Sequence, residues 1–231
     1  MIRTRHLLAI GLAATLVAAC VRAAPSAMLS DRYALREVTA LPTPRTTGAM
    51  SLEEAIAQRR SGREFRSDLL PLWLLGQLLW AAQGITGPGG KRAAPSAGAL
   101  YPLELYVVEP AAILHYLPAG HRVERRSDVD RRPELEAAAF GQDFVGSAPV
   151  VVVIVAVVER TRRRYGAVAA DLVNREAGHA AQNLLLEATA HGLAAVPVGG
   201  LDPRAVEVAL ALPPGHEAVY MIPVGYPAGS G

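Results

Sequence analysis

The stretch "APVVVVIVAVV", Ala148 to Val158, constrains the fold more than any other part of the chain. It is continuously apolar and rich in β-branched residues, so a strand with one wet face is excluded. The run predicts a central strand covered on both faces. The remaining sequence offers the helices to cover it. "SLEEAIAQRRS" starts a helix at Ser51, with Glu54 placed to reach back in a capping box. "DLLPLWLLGQLLWAA" carries Pro71 near its first turn, and Leu72, Leu75, Leu78 and Leu79 are spaced to form one buried face. Glycines 84, 87, 89 and 90 then break this helix and lead into a loop.

Beyond that loop "LELYVVE" reads as a strand, "ILHYLPAGHRVERR" as a hairpin turning at Pro118 to Gly120, and "RPELEAAAFGQ" as a short helix. A long helix is expected from Ala169 to His191, stopping at Gly192. A strand "AAVPV", a double glycine, a helix near Pro203 to Leu212 and a last strand "AVYMIPVGYP" complete the order. This alternation predicts an α+β fold with helices packed on one sheet, with no internal repeat and no second domain. At 231 residues, half of them apolar, the chain can bury one ordinary core, and the scarcity of aromatics makes it aliphatic.

The start of the chain, "MIRTRHLLAIGLAATLVAAC", joins a short basic stretch to an apolar one from Leu7 to Ala19 and then to the only cysteine, Cys20. The apolar part is too short to span a bilayer comfortably and reads as an export signal. "VAAC" resembles the bacterial lipobox, which makes Cys20 the expected lipidation site; cleavage near "VRAAPSA" is the alternative. Residues 1–20 are then a signal, 21–50 a tether or strap, 51–227 the folded body and 228–231 a tail. The expected location is the periplasm or cell envelope, with the lipid as the one link to the membrane. Setting aside Arg3 and Arg5 leaves 21 basic residues of the 23 against 21 acidic ones, so nothing in the charge calls for nucleic acid. The basic run "RTRRRYG", Arg160 to Gly166, reads as a solvated helix start.

Several chemistries fail on spacing. "GPGGKRAAPS" has the only lysine after glycines, but Ile85 stands where a phosphate loop needs its first glycine and Arg92 where it needs Ser or Thr. No Cys, His or carboxylate cluster has metal spacing, and with one cysteine there is no disulfide. His179 and His191 on the long helix read as surface or capped residues. Ser96 sits among small residues, yet position 94 is alanine and the strand follows the serine, which is the reverse of a nucleophile elbow.

Three segments remain that suit an anion and a flat ring. "QRRSGREF" brings Arg59, Arg60, Arg63 and Ser61 to the end of a helix, where guanidiniums can clamp a phosphate or merely interact with the helix dipole. Ala97, Gly98 and Ala99 leave the backbone bare enough for a ring to approach. Gly199 and Gly200 in "VPVGGLDP" free backbone N–H groups at a strand end.

The order R-R-S-x-R, P-S-A-G-A-L-Y-P, "AGHAAQNLLLEATAHGL", "VPVGG" and "PVGYP" resembles the FMN-dependent nitroreductase superfamily, and within it the SagB/ThcOx-type dehydrogenases, over Ser51 to Pro227. The resemblance implies an α+β sandwich of a central mixed sheet flanked by helices, paired as an intertwined homodimer with FMN in clefts at the subunit interface. It implies that Arg59, Arg60 and Ser61 hold the FMN phosphate and that Arg63 lies near the pyrimidine end. Pro95, Ser96, Ala97 and Gly98 would line the ring, and Gly199 and Gly200 would turn N–H groups toward N5 and O4, where reduction places negative charge. The implied activity is hydride transfer to or from a small or peptide-derived substrate, with NAD(P)H as a candidate donor.

Three departures accompany the resemblance. The Lys-Tyr pair of the azoline oxidases is matched by Arg164 and Tyr165, and an arginine is a poor general base, which argues against azoline oxidation. Ala99 stands where many nitroreductases have asparagine, and no Lys or Arg follows Arg204. These departures leave open a non-catalytic envelope lipoprotein that keeps the fold for binding.

Overall fold

The computed structural model describes residues 38–229. In chain order its strands and helices begin with β1 (Val38–Ala40), α1 (Leu52–Gln58), α2 (Leu72–Gln83), β2 (Ile85–Gly87) and β3 (Lys91–Arg92). Then come β4 (Leu103–Glu109), β5 (Ala112–Leu117), β6 (Arg122–Ser127), α3 (Arg132–Ala138), α4 (Asp143–Ser147) and β7 (Val150–Ala156). The remainder are α5 (Val158–Tyr165), α6 (Ala169–Ala190), β8 (Ala194–Ala195), α7 (Pro203–Ala209) and β9 (Glu217–Gly225). Seven strands form one sheet in the order β1-β6-β5-β4-β7-β9-β8. Neighbouring strands run antiparallel, and a parallel bridge from Ser61 to Ala195 gives the sheet its mixed character.

The apolar run behaves as its composition demands. Every residue of β7 is buried, with Tyr106 of β4 opposite Val153 and Ile222 of β9 opposite Val152. Val150, Val152, Ile154 and Ala156 pack into the core beneath α2 and α6, while Val151, Val153 and Val155 pack into a second core with Leu135 of α3, Val145 of α4 and Val206 of α7. Each fully buried valine contributes about 1.5–3 kcal/mol of transfer free energy, so this strand anchors both layers.

Helix starts also follow the sequence. The Ser51 hydroxyl accepts from the Glu54 N–H at 3.1 Å, and the Glu54 carboxylate accepts from the Ser51 N–H at 2.8 Å. α6 ends at Ala190, with Gly192 in the left-handed region at φ +67°.

Elsewhere the structure corrects the expectations. α2 is buried nearly all round, from Leu74 to Leu79 and again from Ala81 to Gln83, whereas Leu72 is only partly covered. Such a helix lies within the core rather than on it. The glycines after α2 do not simply open a loop, because β2 and β3 pair across them as a small hairpin. "RTRRRYG" belongs to a helix of its own, α5, in which Arg162 and Arg163 face Glu159. Gly166 (φ +57°) ends it and a 3-10 turn, Gly166–Val168, leads into α6. The strand expected in "AAVPV" shrinks to Ala194–Ala195 because Pro197 has no N–H to give the ladder, leaving only a bridge from Val198 to Met221 beyond it. The signal, Cys20 and the first part of the strap lie outside the described residues.

Candidate active site

The cluster expected to clamp a phosphate begins where α1 ends. Arg59 caps the helix, and the chain then runs extended along β8: the Gly62 N–H donates to the Ala195 carbonyl at 3.1 Å. Further on the Arg66 N–H donates to the Tyr226 carbonyl at 2.9 Å, and the Ala228 N–H to the Glu64 carbonyl at 3.0 Å. Glycine is required at 62, since a Cβ there would stand 2.8 Å from the Ala194 Cβ. This close approach puts Ser61 beside the strand that leads to Gly199 and Gly200. Both glycines are exposed, and neither N–H donates to an acceptor among the described residues.

The arginines divide their roles. Arg60 turns back on its own helix, donating to the carbonyls of Ala57 at 3.0 Å and Arg59 at 2.8 Å, so it completes the helix end. Arg63 lies 5.5 Å over the Phe144 ring, in a shallow cleft of about 490 Å³ that Phe65 and Asp143 also line. Arg59 and Ser61 make no side-chain hydrogen bond or ion pair among the described residues.

A second group gathers around the loop before β4. Gly98 sits at φ +63°, and a Cβ on it would stand 2.9 Å from the Tyr165 hydroxyl and 3.0 Å from the Arg164 guanidinium. The loop and the Arg164–Tyr165 pair therefore touch, as one site would require. Ser96 accepts from the Tyr101 N–H at 2.9 Å, and Ser96 and Ala97 lie near enough to Glu176 to favour its ionised form. No histidine among the described residues hydrogen-bonds Ser96, which removes the arrangement that would activate it as a nucleophile.

Sequence reasoning passed over Glu176, Arg92, Arg160 and Glu104. Glu176 is 3 % exposed on the apolar face of α6, and burial pushes its carboxyl up to about 7. A carboxylate in register with Val173, Ala177 and Ala180 was the available signal. Arg92 donates to Gln83 at 2.9 Å and lies 4.9 Å over the Tyr101 ring; burial lowers its pKa. Arg160 donates to the Tyr101 carbonyl at 3.0 Å and pairs with Glu104 at 2.6 Å. Burial works against the charge on Glu104, but hydrogen bonds from His115 and Arg160 outweigh it and hold the carboxyl below its ordinary value.

No hydrogen bond or ion pair among the described residues joins the loop group to the Arg59–Gly200 group. Both nevertheless suit FMN: the half-buried Arg59 guanidinium and exposed Ser61 hydroxyl match a phosphate, the free N–H groups of Gly199 and Gly200 an electron-rich ring edge, and a bare kinked loop admits a ring.

A helix-flanked sheet whose loops offer guanidinium donors and bare backbone suits the binding of a flat anionic ligand, and the fold alone does not name the reaction. Residues 56–226 match the Nitroreductase family, and the chain belongs to it. A Methanocaldococcus jannaschii protein described as a nitroreductase is 43 % identical over 157 residues, 65 % of this chain and 79 % of that one. A Thermus thermophilus NADH dehydrogenase is 30 % identical over 217 residues, 80 % of this chain and 91 % of its own. Among solved structures, one described as a nitroreductase from Ralstonia eutropha superposes with a TM-score of 0.77 at 35 % identity, covering 84 % of this chain and 90 % of that one. The protein is thus a nitroreductase-family oxidoreductase, and the family favours an enzyme over the non-catalytic binder.

Proposed function

We propose that the protein is an FMN-dependent oxidoreductase of SagB type, exported to the cell envelope and lipid-anchored at Cys20. The pairing of Ser61 and Gly62 with Ala195, on the segment that runs on to the unpaired N–H groups of Gly199 and Gly200, carries the cofactor reading. In this reading Arg59 and Ser61 bind the phosphate, Arg60 holds the helix end that presents them, and Arg63 reaches the pyrimidine end from beside Phe144. Pro95, Ser96, Ala97 and Gly98 orient the ring, while the N–H groups of Gly199 and Gly200 stabilise negative charge at its edge. When bound, FMN supplies hydride acceptance and donation. Tyr165 presents its hydroxyl beside Gly98, and the Arg164 guanidinium orients an electron-rich substrate rather than removing a proton.

Among the described residues no hydrogen bond or ion pair joins the two groups of site residues, and in this reading each copy of a homodimer completes the other's site. α1 supports it too, since it buries only Ala55 and exposes Leu52 and Ile56. The Thermus relative's name supports NADH as a donor. The substrate in this reading is a small or peptide-derived molecule.

Absorbance and fluorescence titration of the protein from Val21 onward with FMN tests the reading. Micromolar binding with quenched flavin fluorescence is expected, followed by anaerobic bleaching with NADH or NADPH; absence of binding at micromolar protein overturns it. Retention of a Cys20→Ala protein on membranes after high-salt washing would contradict the lipid anchor.

A further inference from the structure

The loop before β4 lies along α5 and meets it at two points a helical turn apart. At one, a Cβ on Gly98 would stand 2.9 Å from the Tyr165 hydroxyl and 3.0 Å from the Arg164 guanidinium. At the other, the Arg160 guanidinium donates to the Tyr101 carbonyl at 3.0 Å. Arg160 and Arg164 are four residues apart and so share one face of the helix. Just before α5 the Val157 N–H donates to the Pro102 carbonyl at 2.8 Å, which keeps the loop end and the helix start together where Leu103 of β4 pairs with Ala156 of β7.

The Arg160 contact falls on a strained part of the loop. Gly98, Ala99 and Tyr101 all have positive φ, at +63°, +55° and +47°, and a left-handed residue with a Cβ persists only where its surroundings over-determine it. The Tyr101 N–H donates to the Ser96 hydroxyl at 2.9 Å and the Ala99 N–H to the Ser96 carbonyl at 3.0 Å. Both of these bonds stay inside the loop and leave its place against the helix unset.

Arg160 is an odd residue for its own helix. A cation in a first turn meets the positive end of the helix dipole, so helix stability does not ask for it. Glu104 of β4 holds it there: one carboxylate oxygen pairs with Arg160 at 2.6 Å and the other with the His115 Nε2 at 2.9 Å. Only 14 % of the Glu104 side chain is exposed, so water weakens the pair less than it would on open surface. One guanidinium nitrogen thus goes to the carboxylate and a second to the Tyr101 carbonyl, a fork that lysine lacks.

We propose that Arg160 is a positioning residue for the flavin: it clamps the Tyr101 carbonyl and so fixes the ring-bearing loop in place against Arg164 and Tyr165. This rests on the reading that FMN binds at this loop. Arg160 acts through the loop backbone and not by contact with the cofactor.

The full-length chain is compared with its Arg160→Gln, Arg160→Lys and Glu104→Gln variants. Hydrogen exchange of the Ala99 and Tyr101 amides reads the loop without any cofactor, and fluorescence titration with FMN reads the ring contact. Expected for Arg160→Gln is exchange about tenfold faster at both amides, unchanged exchange in β7, and FMN bound about tenfold more weakly, a difference of about 1.4 kcal/mol. Arg160→Lys keeps the charge without the fork and should recover only part of each loss. Glu104→Gln withdraws the charge that aims Arg160 while leaving α5 unaltered; it should move both readouts the same way by about threefold, and it decides the matter if Arg160→Gln fails to fold. Faster exchange with unchanged FMN affinity would make Arg160 a structural brace and overturn the proposal. Unchanged exchange, exchange raised equally in β7, or full recovery by lysine would overturn it too. Failure of the unaltered chain to bind FMN would instead defeat the cofactor reading, and the exchange arm would still decide whether Arg160 fixes the loop.

Discussion

A carboxyl whose folded pKa is pushed from 4.5 to about 7 holds its proton through a window in which an unfolded glutamate has lost it. Between those values the folded chain binds more protons than the unfolded one, so stability contributed by Glu176 falls as pH rises through the window and levels off above it. Urea midpoints measured from pH 4.5 to 8 should therefore decline for the natural chain more steeply than for Glu176→Gln. Gly62 makes a second prediction at this scale. Its missing Cβ lets the arginine segment lie on β8, and Gly62→Ala forces it away from Ala194. Overpacking of this kind costs about 1–3 kcal/mol, and FMN affinity should fall with it, read by the same titration. Gly98→Val adds a branched group at φ +63° beside Tyr165 and should prevent flavin binding while leaving α6 helical by circular dichroism. Arg59, Arg60 and Arg63 and the glycines at 98, 199 and 200 could be singled out in the sequence because their chemistry is local, whereas Gly62 could not, since its need lies in the distant Ala194. Glu176, Arg92 and Arg160 were not, because their meaning lies in which distant backbone groups they meet.

Among the elements, β7 and α2 show where pattern suffices and where it stops. β7 was readable because an unbroken β-branched run has one good solution, a strand with cover on both sides. The spacing of leucines in α2 suggested one buried face, yet Leu74, Gly76, Gln77 and Ala81 are buried as well as Leu75, Leu78 and Leu79, because α6 and the sheet close around the helix. Periodicity reports a helix's own faces and not how many neighbours it has. Leu78→Ala should accordingly cost about 2–5 kcal/mol, a large part of a domain's stability, seen as a lowered urea midpoint with an unchanged slope. The short elements α4, β2 and β3 escaped the sequence reading because five, three and two residues carry no period to detect.

For the whole molecule, α1 poses the question of what covers it. A seven-residue helix with one buried side chain is too short to be stable alone, and Leu52 and Ile56 stand 61 % and 56 % exposed one turn apart. A second copy is the proposed cover. Light scattering after size exclusion should give twice the monomer mass, and Leu52→Glu with Ile56→Glu should shift it toward monomer and weaken FMN binding together. A monomeric natural chain that still binds FMN would contradict the shared site.

The bonds that join Gly62 to Ala195, Arg66 to Tyr226 and Ala228 to Glu64 lace an early stretch of the body to β8 and to the residues just after the final strand. A ribosome that has made only the first half of this domain has made arginines with nothing to lie on. The proposed phosphate cradle is thus among the last features that synthesis can complete, and under the proposed reading a partly made chain has no place to hold FMN. Loading must follow completion of the chain, in whichever compartment that occurs.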